Sequence, residues 1–210
     1  MSGSALVRSP NARTDSTRGL LAEIAEVLVL ALGLYLVITF AVQTVHVLGL
    51  SMVPTLNDGD YLIATKIDYR LHDPQRGDIV IMRDPYDNSK DFIKRVIGLP
   101  GEKILIQQGH VYINGRLLDE PYLRQDEAWT TNANWPPAGS PGAGQPFQLQ
   151  SNEYFVMGDN RNASSDSRLF GPIQRDRIEA HAWLRIWPAT MFGPVTEKRP
   201  LLEPAAARAA

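Results

Sequence analysis

The sequence predicts a mainly β protein: a coiled, mostly antiparallel, barrel-like sheet domain behind a single N-terminal transmembrane helix. Two observations carry this. Between Glu26 and Asp58 there is no Asp, Glu, Lys or Arg, and most of that interval is a continuous apolar run. From Tyr61 onward, short β-branched and aromatic stretches follow one another, separated by Gly, Pro and Asn turn signals.

Residues 1–19, rich in Ser, Arg, Thr, Asn and Pro, read as a disordered cytoplasmic tail. Residues 20–48 read as the anchor helix, matching the roughly 20 residues needed to cross a bilayer. A cleaved export signal has a shorter apolar region and small residues at its cut site. Here the run is longer, and Gln43-Thr44-Val45-His46 offers no such pair. A buried helix of a soluble protein fits less well, because the run is apolar on every face. Arg8, Arg13 and Arg18 before the helix, against Asp58 and Asp60 after it, place the N-terminus in the cytoplasm.

Residues 49–198 form the expected β-rich domain, with strands at Tyr61–Ile67, Asp78–Met82, Phe92–Ile97, Lys103–Gln107, Val111–Ile113, Tyr154–Met157 and Ala182–Trp187. Asn114-Gly115 is the signal of a two-residue hairpin. Within the domain, 132–146 carries four prolines and three glycines, so it is expected to be a loop insertion. Residues 199–210 read as a C-terminal tail.

Composition excludes several chemistries. The 210 residues carry a net charge of −2, with no basic excess to suggest nucleic acid. Absence of cysteine rules out disulfides, thiolate metal sites and a cysteine nucleophile. The four histidines (His46, His72, His110, His181) have no ligand-like spacing, so neither a metal nor a cofactor is expected.

A serine nucleophile needs a base beside it. Ser51 stands just past the anchor, in Ser51-Met52-Val53-Pro54-Thr55-Leu56. Taken alone it reads first as a turn serine satisfying backbone groups at a strand start, and only then as a nucleophile. In a strand over Asp91–Ile97, Phe92, Lys94 and Val96 share one face while Ile93, Arg95 and Ile97 share the other. If the first face is buried, desolvation lowers the lysine pKa toward that of a usable base. If it is not, Lys94 is an edge lysine that snorkels to solvent, and periodicity leaves both open. Gly158 to Arg168 is a dense polar loop beside the apolar Tyr154–Met157 stretch. In it Asp166 and Arg168 form a ready ion pair, and Ser164 is a hydroxyl able to orient an amine.

These boxes together resemble the bacterial type I signal peptidase (leader peptidase) family. They are Ser51-Met52-x-Pro54-Thr55-Leu56, Gly77-Asp78-x-Val80, Lys94-Arg95-Val96-x-Gly98-Leu99-Pro100-Gly101 and Gly158-Asp159-Asn160-Arg161 with Ser164-x-Asp166-Ser167-Arg168. They occur in the family's order over roughly Leu20 to Trp187. The resemblance implies a membrane-bound serine endopeptidase that removes signal peptides from exported preproteins, with Ser51 as nucleophile and Lys94 as general base. It further implies that Ser164 hydrogen-bonds and orients the lysine, with Asp166 and Arg168 as a supporting pair. The Ser51 N–H is the implied oxyanion donor. Some members add a serine hydroxyl two positions earlier, where this chain has Gly49, leaving a backbone group or water for that place.

Val45, Val47, Leu48, Met52, Leu56 and Ile93 are the expected substrate-pocket residues. The implied partners are signal peptides and the lipid bilayer, with no nucleic acid. The implied location of the domain is the extracytoplasmic side of the plasma membrane, or the lumen side of a thylakoid. The same fold kept as an inactive membrane-anchored scaffold is the alternative. Autoproteolytic SOS repressors carry a DNA-binding domain that is not seen here. The endoplasmic-reticulum signal peptidases have histidine where Lys94 stands.

Overall fold

The computed structural model describes residues 12–124, 127–195 and 198–204. The chain divides after Ala41 into two units. The first holds helix α1 (Ala12–Ala41). Its segment Gly19–Ala41, 23 residues long, is the one helix among the described residues long and apolar enough to cross a membrane. At 1.5 Å per residue that is about 35 Å, enough for a hydrocarbon core of about 30 Å.

Both helix boundaries differ from expectation. The helix starts at Ala12, inside the stretch read as a tail, of which residues 1–11 lie outside the described residues. After Pro10 no proline interrupts the chain until Pro54, so the polar segment can continue the helix backwards. At the other end the helix stops at Ala41, not near Leu48. Val42–His46 is instead a strand, β1, paired antiparallel with β2 (Tyr61–Thr65) from Val42↔Thr65 to His46↔Tyr61. The β-branched residues Val42, Thr44 and Val45 suit that pairing, and Gln43, Thr44 and His46 would be costly inside a bilayer.

The second unit holds the remaining strands: β3 (Ile79–Arg83), β4 (Asp91–Gly98), β5 (Lys103–Gln107), β6 (His110–Ile113), β7 (Arg116–Asp119) and β8 (Phe147–Gln148). These are followed by β9 (Glu153–Met157), β10 (Ile173–Gln174), β11 (Ile178–Trp187), β12 (Gly193–Pro194) and β13 (Leu201–Leu202). One sheet runs β1-β2-β11-β3-β4-β9-β10, with β12 added to β11, and a second runs β13-β7-β6-β5-β8. Every pairing is antiparallel. Register shifts in the β11 and β4 ladders mark bulges, which coil a sheet by increasing its local twist. The expected hairpin forms: Asn114 and Gly115 both take positive φ, and Ile113 faces Arg116.

Three apolar clusters fill the domain. One, with Val47, Met52, Leu56, Leu62, Ile79 and Ile81, lies beneath the Ser51 segment. A second, with Val80, Met82, Val96 and Val156, backs the lysine strand. The third, around Ile104, Ile106, Val111 and Phe155, belongs to the β5–β7 region. The Pro/Gly-rich 132–146 segment is turns and loop. It is pinned through Trp135, which bridges to Ile106 and packs in the third cluster.

The expected C-terminal tail is in part structured. Leu201–Leu202 pairs with β7, and the Arg199 guanidinium donates to Asp78 at 3.0 Å. Residues 205–210 lie outside the described residues. Two leucines able to cap an open edge strand explain the difference, since an unpaired edge leaves backbone groups unsatisfied.

Candidate active site

Ser51 lies in a loop that joins β1 to β2. Buried Met52 and Leu56 root the loop in the core, and the Leu56 N–H donates to the Met52 carbonyl at 2.9 Å. Backbone bonds from Val47 N–H to the Asp60 carbonyl (2.8 Å) and from Gly59 N–H to the Val47 carbonyl (3.0 Å) close it. The Arg185 guanidinium lies 3.3 Å from the Asp60 carboxylate and donates to the Thr55 carbonyl. The hydroxyl is thus carried on a braced turn.

Lys94 comes from the centre of β4, opposite Val80 of β3. It is 3% exposed. Its Nζ lies 3.0 Å from Ser51 Oγ and donates to the Ile93 carbonyl at 2.9 Å. Burial drives its pKa down to about 8, against the partly opposing attraction of Asp166 and Asp159. Of the two readings periodicity left open, the buried one holds, with the amine 5.0 Å from the centre of the Phe92 ring.

The loop 158–168 folds under this pair. Asp166 caps the short helix α2 (Ser167–Phe170), accepting from the Arg168 N–H, and its other oxygen accepts from the Gly158 N–H at 3.0 Å. The Arg168 guanidinium donates twice to Asp166, at 2.8 and 2.7 Å, and both side chains are fully buried. The Asn160 N–H donates to the Ser51 carbonyl at 3.0 Å, tying this loop directly to the nucleophile turn. Ser164 does not make the expected bond to Lys94. Its Oγ is buried without a hydrogen-bond partner among the described residues.

Gly49 stands two residues before Ser51. Its N–H donates to the Asp58 carboxylate at 2.7 Å, so that amide is engaged elsewhere. Among the described residues, no acceptor takes up the Ser51 N–H.

A cleft of about 460 Å³ opens beside Ser51 and Lys94. Val45, Val47, Leu48, Met52 and Ile93 line it. Leu56 does not: it is fully buried in the cluster beneath, because its side chain is what roots the loop. Ile81, Phe92 and Asp91 line the cleft in addition. A larger hollow of about 510 Å³, bounded by Thr55, Arg95, Tyr122 and Arg185, contains neither Ser51 nor Lys94. Chemistry therefore points to the smaller one.

Sequence reasoning gave no role to the other buried ion pairs. Arg95, 1% exposed, donates to Asp159 at 2.8 and 2.6 Å and to the Gly77 carbonyl at 2.9 Å. Its guanidinium lies 3.9 Å from the Tyr122 ring centre. Arg161 pairs with Glu120 in the same way. The available signal was an arginine on an apolar strand face between Ile93 and Ile97, which requires a buried acidic partner.

A serine hydroxyl facing a desolvated lysine amine, in a β domain that follows an apolar helix, is the arrangement of hydrolases that pair serine with lysine in place of histidine. The family profile described as "Signal peptidase, peptidase S26" matches residues 21–187. "Probable signal peptidase I-2" of Synechocystis sp. is 39% identical over 175 residues, 80% of this chain and 72% of that protein. "Signal peptidase I" of Leptolyngbya laminosa is 38% identical over 79% of this chain and 77% of its own length. "Signal peptidase IB" of Staphylococcus aureus is 33% identical over 76% and 85%. The chain belongs to the signal peptidase family, peptidase S26, and is a protease. Its apolar helix and these relatives fit a single-pass membrane protein.

Proposed function

We propose that this protease cleaves the signal peptides of exported preproteins with a Ser51/Lys94 dyad. The observation that carries this reading is the 3.0 Å approach of the buried Lys94 amine to Ser51 Oγ. Neutral Lys94 takes the hydroxyl proton as Ser51 Oγ attacks the scissile carbonyl. The developing oxyanion is held by the Ser51 N–H. The tetrahedral intermediate then collapses, the lysine ammonium gives its proton to the leaving amine, and an acyl-Ser51 ester remains. A water that loses its proton to Lys94 hydrolyses the ester. Ser164 supplies an uncommitted buried hydroxyl for orienting the amine. Asp166 and Arg168 hold the loop that carries it.

Valine, leucine and isoleucine side chains around Ser51 favour small residues at positions −1 and −3 of the cut. The arginines at 8, 13 and 18 favour a cytoplasmic N-terminus, with the β domain on the extracytoplasmic side of the plasma membrane or in a thylakoid lumen. Purified full-length protein incubated with a preprotein tests the assignment. Wild type should release the mature form, and neither Ser51→Ala nor Lys94→Ala should. Cleavage by either variant would overturn the dyad. A wild type inert toward preproteins that still binds them would favour the scaffold.

A further inference from the structure

Past buried Val47, which bonds both the Asp60 carbonyl and the Gly59 N–H, the nearer braces of the loop lie on the C-terminal side of Ser51. Met52 and Leu56 are buried, Asn160 holds the Ser51 carbonyl, and the Val53 N–H donates to the Leu50 carbonyl at 3.2 Å. On the N-terminal side the chain is open. Val47 is bonded to the Asp60 carbonyl, but Leu48 and Leu50 are 77% and 60% exposed. Gly49 between them has a φ of +92°, with nothing within 4 Å of where a side chain would stand. A glycine in that conformation, without neighbours, has many alternatives open to it. The contact that holds it is the 2.7 Å bond from its N–H to Asp58 Oδ1, across the neck of the loop.

We infer that Asp58 is a positioning residue for the reaction: its carboxylate holds the Gly49 peptide and thereby fixes the backbone that enters Ser51. This rests on the Ser51 assignment made above. The Ser51 N–H and Oγ must sit correctly for the oxyanion and the attack, and misplacement of such groups is costly in rate. The bond is charge-assisted, which makes it stronger than an amide–amide bond. Asp58 contributes no atom to the chemistry. Its side chain is absent from the cleft lining.

The test is preprotein cleavage by full-length wild type, Ser51→Ala, Asp58→Ala and Asp58→Asn, with kcat and KM separated and Tm measured for each. Asp58→Ala should lose about tenfold in kcat with KM unchanged, the size expected for one charge-assisted hydrogen bond. Asp58→Asn keeps an acceptor oxygen and should recover most of the loss. Both variants should melt with wild type, because the side chain is exposed. Wild-type kcat in Asp58→Ala, or Asp58→Asn as slow as Asp58→Ala, would overturn the inference, as would a kcat loss that follows a drop in Tm. An active Ser51→Ala would instead remove the nucleophile assignment itself, whatever the Asp58 variants do.

Discussion

Gly158 lies so close to Ser51 that a methyl group on its Cα would overlap the Ser51 carbonyl oxygen. The same methyl would overlap Ser164 Oγ and stand 2.6 Å from Ser164 Cβ. The absence of a side chain at 158 lets the supporting loop pass beneath the nucleophile turn.

Gly158→Ala should therefore abolish cleavage, by about a hundredfold or more, since moving a reacting group by about 1 Å costs that much. Removing the Ser164 hydroxyl should not rescue it. Gly158→Ala/Ser164→Ala still meets the Ser51 carbonyl and the Cβ at 164. Cleavage rates of the single and double variants check this, and a rescued double variant would mean that the clash with Ser51 is relieved elsewhere.

Lys94 must be neutral to accept a proton, and its pKa of about 8 sets where that occurs. The rate should rise with pH and reach half its plateau near pH 8. Arginine stays protonated at any such pH, so Lys94→Arg should be as inactive as Lys94→Ala. Replacing His46, His72, His110 or His181 with alanine should leave the pH profile in place. An essential histidine, or an active Lys94→Arg, would replace the dyad with another mechanism.

The same depressed pKa predicts a stability effect. A lysine with a folded pKa near 8 and an unfolded value of 10.5 holds fewer protons when folded, so its contribution to stability improves as pH rises through that window. Below it, the buried ammonium costs about 3 kcal/mol, at 1.36 kcal/mol per pKa unit. Lys94→Met, similar in length and apolar, should raise the melting temperature at about pH 7. The advantage should shrink to nothing by pH 10.5. Thermal melts of the two proteins across that range decide it.

Asp166→Ala strips a fully buried guanidinium of its charge partner and leaves the Gly158 N–H without an acceptor. The expected loss is roughly 3–5 kcal/mol. Asp159→Ala, which strands buried Arg95, should cost a similar amount. The exposed pair of Asp87 with Lys90 is the control, and Asp87→Ala should leave the urea midpoint unchanged. Equal midpoints for all three variants would show that water reaches the two inner pairs.

Substrates that differ only at −1 should separate steeply by size. Replacing alanine there with leucine asks the cleft walls of Val45, Val47, Met52 and Ile93 to give way, at roughly 1–3 kcal/mol. That is about a fivefold to 150-fold loss in kcat/KM. Equal turnover of both substrates would place the −1 residue outside this cleft.

Local chemistry was legible in the sequence wherever its cause was local. An uncharged run long enough for a bilayer, the Asn114-Gly115 hairpin and the Pro/Gly-rich loop each follow from a few adjacent residues and the backbone conformations they allow. The order of the boxes around Ser51, Lys94, Gly158 and Asp166 likewise marked which residues to bring together. Three-dimensional pairing decided the rest. Val42–His46 could prolong a helix or start a strand until Tyr61–Thr65 offered it a partner. Lys94 could face water or the core until its strand found its register against Val80. Asp58 bonding Gly49, and Asp159 receiving Arg95, join positions whose separation along the chain carries no periodic signal. A carboxylate has no sequence mark for the donor it will meet. For Asp159 and Arg95 the choice follows from burial, where an unpaired charge is costly enough to select one packing over its alternatives.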